Sequence, residues 1–373
     1  MDYGAITIDT SIFDQKGLNL ESGLLKTLDQ FNGKPYPLIL SEIVVREIHT
    51  HLVKKTSEAR GQVQKALRAS KVHLTLDEEK IEDALKLLIP DEDDKEVSTS
   101  RLETFIKNTG AEIVPASGHV ELGDLIKKYF KSHAPFSESG KKKNEFPDAI
   151  ALMSLESWAE EKDTKILAVS DDSDWEAFAD ESDRIDIFKD LAAAIAEFQP
   201  HNAAIDFCGK LAGSLPNGEP EELYSVIEQF ISDSVSEMDV FPDASSTFFW
   251  EPDIVEVVFE SFDFVVNEDG QALMQPIQAR DESIVIEAKI MVSATASSSF
   301  SLSVHDSIDK DYVSIGSASA STEVEFESAI LFTIEGDFVQ EPNEVEITEF
   351  ELLSYPGTID FGEIEPDWWS EDE

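Results

Sequence analysis

The sequence predicts an α/β domain built on a parallel sheet, followed by a C-terminal antiparallel β domain. Three observations carry this expectation. Through about residue 198, short apolar runs alternate with stretches of helical periodicity, the pattern of a sheet wrapped on both faces. From about residue 247 the period falls to two, with Val, Ile, Phe, Thr and Ser dominating. The charge changes as well. Residues 201–373 carry only Lys210, Arg280, Lys289 and Lys310 against 39 acids, a net −35, while residues 1–200 contribute −14 to the total of −49.

The elements follow in order. GAITID (4–9) and YPLIL (36–40) read as strands, each followed by a hydroxyl residue able to cap a helix, Thr10 or Ser11 and then Ser41. A long helix over about 41–71 places Ile43, Val44, Ile48, Leu52, Val63 and Leu67 at near-helical spacing. Helices at 77–89 and 98–108 are separated by the acidic turn PDEDDKE (90–96). AEIVPA (111–116) reads as a strand, 120–132 and 147–162 as helices, KILAVS (165–170) and IDIF (185–188) as strands, and 190–198 as a closing helix. Beyond Pro200, 202–214 and 219–238 read as helices, the second with a stripe of Leu223, Val226, Ile227, Phe230 and Ile231. The alternating segments then predict a β-sandwich, one face apolar and the other acidic. The expected organisation is an α/β unit at 1–199, a helical connector at 200–245, an acidic sandwich at 246–364 and an acidic tail at 365–373.

Composition narrows the classes of function. A C-terminal half so acidic repels a nucleic-acid backbone, which confines any polyanion contact to the N-terminal half; acidity of this size also serves solubility. Cys208 is the sole cysteine, so no intrachain disulfide forms. MDYGAITIDTSIF lacks the features of a signal peptide, and no apolar run reaches the ~20 residues of a membrane helix. A cytoplasmic location is expected.

Four acidic stations are the main candidates for chemistry: Asp9, Glu47, Asp148 and the run Asp171, Asp172 and Asp174. Asp9 and Asp172 end apolar strands, Glu47 lies one turn into the long helix, and Asp148 follows Pro147 in the first turn of an apolar helix. A parallel sheet gathers its strand C-termini at one edge, where such folds bind ligands. Carboxylates collected there repel one another, and a hard divalent cation is the natural counter-charge. Asp172 and Asp174 can share a cation, with Asp171 turned outward. Read singly, Asp9 is equally a helix N-cap and Glu47 a solvated helix acid. No His–Cys cluster has zinc spacing, and His49 and His51 read as surface residues of the helix.

Taken in order, ITIDTSIF, ILSEIVVREI, EFPDAIALMSL and ILAVSDDSDWEAF resemble the PIN-domain nucleases. The last piece is similar to that family's strand-end pattern of Thr or Ser, a polar residue, Asp, any residue, Asp and an aromatic. The resemblance covers about residues 4–198, with a helical insertion near 60–110. It implies a Rossmann-like PIN fold and a metal-dependent phosphodiesterase, usually an endoribonuclease. It further implies an acidic quartet of Asp9, Glu47, Asp148 and Asp172, with Asp174 auxiliary, holding Mg²⁺ or Mn²⁺. Two ions about 3.5–4 Å apart would clamp both the attacking and the leaving oxygen, and one ion is the alternative.

Substrate contacts are expected from Ser11, Arg46, Lys142 and Lys143, the lysines closely preceding Asp148. Tyr129, Phe130 and Phe136 are candidates for base stacking, with core packing the expected role of Phe130. RNA is the expected substrate in preference to DNA. A DNA nuclease of host defence and a chemically inactive scaffold are the alternatives, and the β domain is a candidate surface for a protein partner or self-association.

Overall fold

The computed structural model describes residues 3–74, 77–136, 145–199, 203–280, 282–305, 312–338 and 345–366. Contacts divide the chain into two compact units, Met1–Phe198 and Gln199–Glu373.

The first unit is built on β1 (Ala5–Ile8), β2 (Leu38–Ser41), β3 (Glu112–Val114), β4 (Ile166–Val169) and β5 (Ile185–Phe188). Their order is β3-β2-β1-β4-β5, and every pairing is parallel. β1, β2 and β4 are buried at every position, as expected of strands covered on both sides. The covering helices are α1 (Thr10–Gln15), α2 (Gly23–Lys26), α3 (Glu42–His73), α4 (Glu78–Leu88), α5 (Asp94–Thr109), α6 (Leu122–Lys131), α7 (Phe146–Lys162), α8 (Ser173–Glu181) and α9 (Leu191–Ala196). Val44, Ile48 and Leu52 bury the inner stripe of α3 near its start, while its distal turns run outward with α4 and α5.

One helix begins earlier than its periodicity predicts. α5 starts at Asp94, inside the acidic run read as a turn, because Asp93 accepts from the Lys95 and Glu96 amides while the Glu96 carboxylate accepts from the Asp93 amide. This reciprocal capping box gives two otherwise orphaned donors a partner. The expected packing of Phe130 is also overturned: its ring is 79% exposed, because α6 buries Leu125 and turns Phe130 to solvent. Phe136, in contrast, is buried against Tyr129 and Phe146.

The second unit contains α10 (Ala203–Ser214), α11 (Glu221–Ser236), β6 (Phe241–Ser245), β7 (Phe249–Pro252), β8 (Glu256–Phe264), β9 (Met274–Ala279), β10 (Ser283–His305), β11 (Tyr312–Glu335), β12 (Glu346–Leu352) and β13 (Thr358–Glu363). β10 and β11 form a long antiparallel pair, with β7, β8 and β9 along one side and β12 on the other. Alternation sends Ile284, Ile286, Ala288, Ile290 and Val292 to one face of β10, and all are fully buried.

Two sequence expectations are corrected here. Among the described residues the apolar face is not matched by a second full sheet. It is covered by α10 and α11, with only the two-stranded parallel ribbon β6–β13 adding Phe361 against Phe300. Nor is 200–245 a connector, since Phe207, Leu211, Leu223, Ile227, Ile231 and Val235 share one core with the sheet. The amphipathic stripe of α11 needed an apolar surface to bury, and the half-apolar sheet supplies it.

Candidate active site

The strand order fixes where the site lies. From β1 the chain builds outward through β2 and β3, then returns to add β4 on the other side of β1. The crevice between the C-terminal ends of β1 and β4 is therefore the topological switch point of the sheet, the ordinary location of ligand sites in such folds. Asp9 directly follows β1 and Asp172 lies just beyond β4, and the Asp9 amide donates to the Val169 carbonyl at 2.9 Å.

A chain of hydrogen bonds links the acidic stations. Asp9 is only 5% exposed. Its Oδ1 accepts from the Thr10 amide at 2.7 Å, and its Oδ2 accepts from the Ser11 hydroxyl and from the Ser170 hydroxyl at 3.0 Å. The fully buried Ser170 also accepts from the Asp172 amide at 3.1 Å, so one hydroxyl ties the two strand ends together. Asp172 caps α8, accepting from the Asp174 amide at 2.7 Å. Thr10 donates its hydroxyl to Glu47 at 2.8 Å, joining α1 to α3. Asp148, in the first turn of α7, accepts from the indole N–H of Trp175 at 3.2 Å, and Trp175 is fully buried.

The electrostatics show that these acids share one neighbourhood. Burial raises the Asp148 carboxyl to about 7; the Trp175 bond opposes this, and the charges of Asp9, Asp172 and Glu47 reinforce it. Burial also raises Asp9, against hydrogen bonds from Ser11, Ser170 and Thr10. Asp174 is raised by burial and by the charges of Asp172 and Glu145, so Glu145 adds negative charge to this rim. Asp171 is exposed, turned away as expected.

All four stations thus meet around one crevice, with Asp174 at its edge. The donor set is oxygen alone, which suits a hard cation such as Mg²⁺ or Mn²⁺. Among the described residues, however, no group of three or more His, Cys, Asp or Glu side chains is arranged as a ready metal cage.

The proposed substrate contacts are less concentrated. Ser11 is committed to Asp9 through its hydroxyl. Arg46 is exposed on α3 with its guanidinium 3.8 Å from Glu42. Lys142 and Lys143 lie outside the described residues. Three residues of the site carried little sequence signal. Ser170 and Trp175 flank the acidic run but gain their roles only through contacts across the sheet. His51 is a surface residue as expected, and its Nδ1 lies 3.0 Å from Asp14 Oδ1. His49 instead reaches Thr99 of α5 at 2.9 Å.

The family model described as a PIN domain matches residues 6–175. Over that span the N-terminal unit is similar to PIN domains, a class whose members are nucleases that generally use divalent metals, and the chain continues into an additional antiparallel sheet unit. No curated protein and no solved structure matches the chain. Among the described residues, no helix is long and apolar enough to cross a membrane.

Proposed function

We propose that this protein is a metal-dependent endoribonuclease that cuts single-stranded RNA at the crevice between β1 and β4. The observation carrying the proposal is the convergence of Asp9, Glu47, Asp148 and Asp172 from four separate elements at the sheet's switch point. Asp9, Asp148 and Asp172 are the residues that would hold Mg²⁺ or Mn²⁺, with Glu47 and Asp174 at the margin. A cation held there supplies Lewis-acid polarisation of a phosphate oxygen and a more acidic bound water. The protein's own work is orientation and proton control. Ser170, Ser11 and the Thr10 amide fix Asp9, Thr10 fixes Glu47, and Trp175 fixes Asp148. With its carboxyl near pH 7, Asp148 gives up its proton within the physiological range.

The preference for RNA rests on the resemblance to PIN-domain nucleases, which are usually endoribonucleases. That no group of three or more His, Cys, Asp or Glu among the described residues is placed to hold a metal ion favours one second reading, a PIN-like unit that binds nucleic acid without cutting it. Labelled single-stranded RNA and DNA of one sequence, incubated with Mn²⁺, with Mg²⁺ or with chelator, separate these readings. The expected result is internal cleavage of RNA that requires the metal and is lost in Asp9→Asn and Asp172→Asn. Binding without cleavage would favour the second reading, and preferential cutting of DNA would reassign the substrate.

A further inference from the structure

The Thr10–Glu47 contact is the first of two rungs between α1 and α3. One turn further along both helices, His51 Nδ1 lies 3.0 and 2.9 Å from the two carboxylate oxygens of Asp14. Both partners are open to solvent, with side-chain exposures of 40% and 44%. An exposed pair of this kind returns little stability, so holding the helices together is a poor account of it. What it does accomplish is orientation. With Nδ1 bound to Asp14, the imidazole keeps Nε2 for another partner, and no described residue bonds that atom.

The surroundings indicate what that partner is. An anionic strand entering the crevice meets acids at Asp9, Glu47, Asp148 and Asp172, so its neighbouring phosphates need cationic contacts beside the site. Arg46 is drawn toward Glu42, and Lys189 is paired with Glu176 at 2.7 Å. Along α3, Glu47 is followed after one turn by His51 and after another by Lys54 and Lys55, both exposed, with the Lys54 ammonium 4.0 Å from Glu58 and among the described residues no ion pair at Lys55. One helical turn advances about 5.4 Å, a step comparable with that between successive phosphates of a single strand.

We propose that His51, oriented by Asp14, forms a phosphate subsite one helical turn from the acidic crevice, and that single-stranded nucleic acid leaves the crevice along α3 toward Lys54 and Lys55. The ligand is the backbone phosphodiester next to the one in the crevice. With Asp14 accepting at Nδ1 and a phosphate oxygen at Nε2, the ring is an imidazolium, which has two N–H donors and no acceptor. This subsite rests on the nuclease reading for its biological meaning, but it is tested by binding.

The test is fluorescence anisotropy with a 5′-labelled eight-nucleotide single-stranded RNA, on full-length protein carrying Asp172→Asn so that the probe stays intact. Adding His51→Ala is expected to weaken binding about five- to tenfold, the loss of one charge-assisted hydrogen bond. The slope of log affinity against log salt should fall by about one phosphate contact. His51→Arg should recover most of the affinity, and His119→Ala, whose ring sits beside Ser157 and Glu161, should bind as the parent does. Unchanged affinity and salt slope in His51→Ala would overturn the subsite, as would His51→Arg binding no better than His51→Ala. A parent that binds no RNA would overturn both the subsite and the nuclease reading. A subsite that behaves as expected in a chain that never cleaves would overturn the nuclease reading alone.

Discussion

Asp148→Asn is expected to make the protein more stable and less active at once. Burial and the charges of Asp9, Asp172 and Glu47 raise this carboxyl from the usual 3.8 to about 7. The native state therefore holds the proton more tightly than the unfolded chain. Stability from this group is fully present below about pH 4 and is lost as the pH rises through 7. A gap of about three units would amount to about 4 kcal/mol if nothing screened it, and solvent at the partly exposed carboxylate reduces this to about 1–2 kcal/mol. The amide cannot ionise and escapes that cost. In the absence of metal, melting at pH 8 should shift upward by about 3–6 °C for a unit of this size, and the gain should vanish near pH 4. Cleavage in the presence of Mn²⁺ should fall by about 100-fold or more if Asp148 is one of the charged ligands, as proposed. A variant that melts lower than the parent at pH 8, or that retains full cleavage, would contradict this account of Asp148.

Manganese binding should depend steeply on pH for the same reason. A carboxylate must lose its proton before it binds a cation, and Asp148 is the member of the crevice pushed to about 7. Calorimetric affinity for Mn²⁺ should weaken about tenfold for each pH unit below 7 and level off above it. Near pH 6.5 the heat should vary with the ionisation enthalpy of the buffer, reporting the released proton. In Asp148→Asn the pH dependence should flatten along with a weaker affinity. A parent affinity that is constant from pH 5.5 to 8 would remove Asp148 from the ligand set.

The sequence made the strand-end acids legible because the signals are local. GAITID runs into Asp9 and KILAVS into Asp171 and Asp172, and an apolar strand that ends in acids marks the functional edge of a parallel sheet. Glu47 and Asp148 were reachable through helix position alone. What could not be read was strand order: that β4 pairs with β1, and so brings Ser170 onto Asp9, is decided by long-range pairing with no local trace. The same holds for Trp175, whose aromatic character was visible but whose bond to Asp148 joins α8 to α7. Nothing local marks His51, because its partner Asp14 lies 37 residues away in sequence.

In the second unit, period-two alternation announced the strands, and the stripe on α11 announced an amphipathic helix. Alternation says that one face of the sheet is buried and leaves open by what. The β6–β13 ribbon leaves little trace in the sequence because FPDAS and TIDFGE are short. Phe130 shows the converse error. Core packing is the ordinary place for a Phe, yet the face of α6 that carries Leu125 takes the interior, and Phe130 stays in water.

The central claim is tested most directly by crystals soaked in Mn²⁺ and measured for anomalous scattering. The account predicts a peak in the crevice between the ends of β1 and β4, within coordination distance of carboxylate oxygens from Asp9, Asp148 and Asp172, and absent in Asp172→Asn. No peak at that crevice in an enzyme that still needs manganese to cut RNA, or a peak held by other residues, would contradict it.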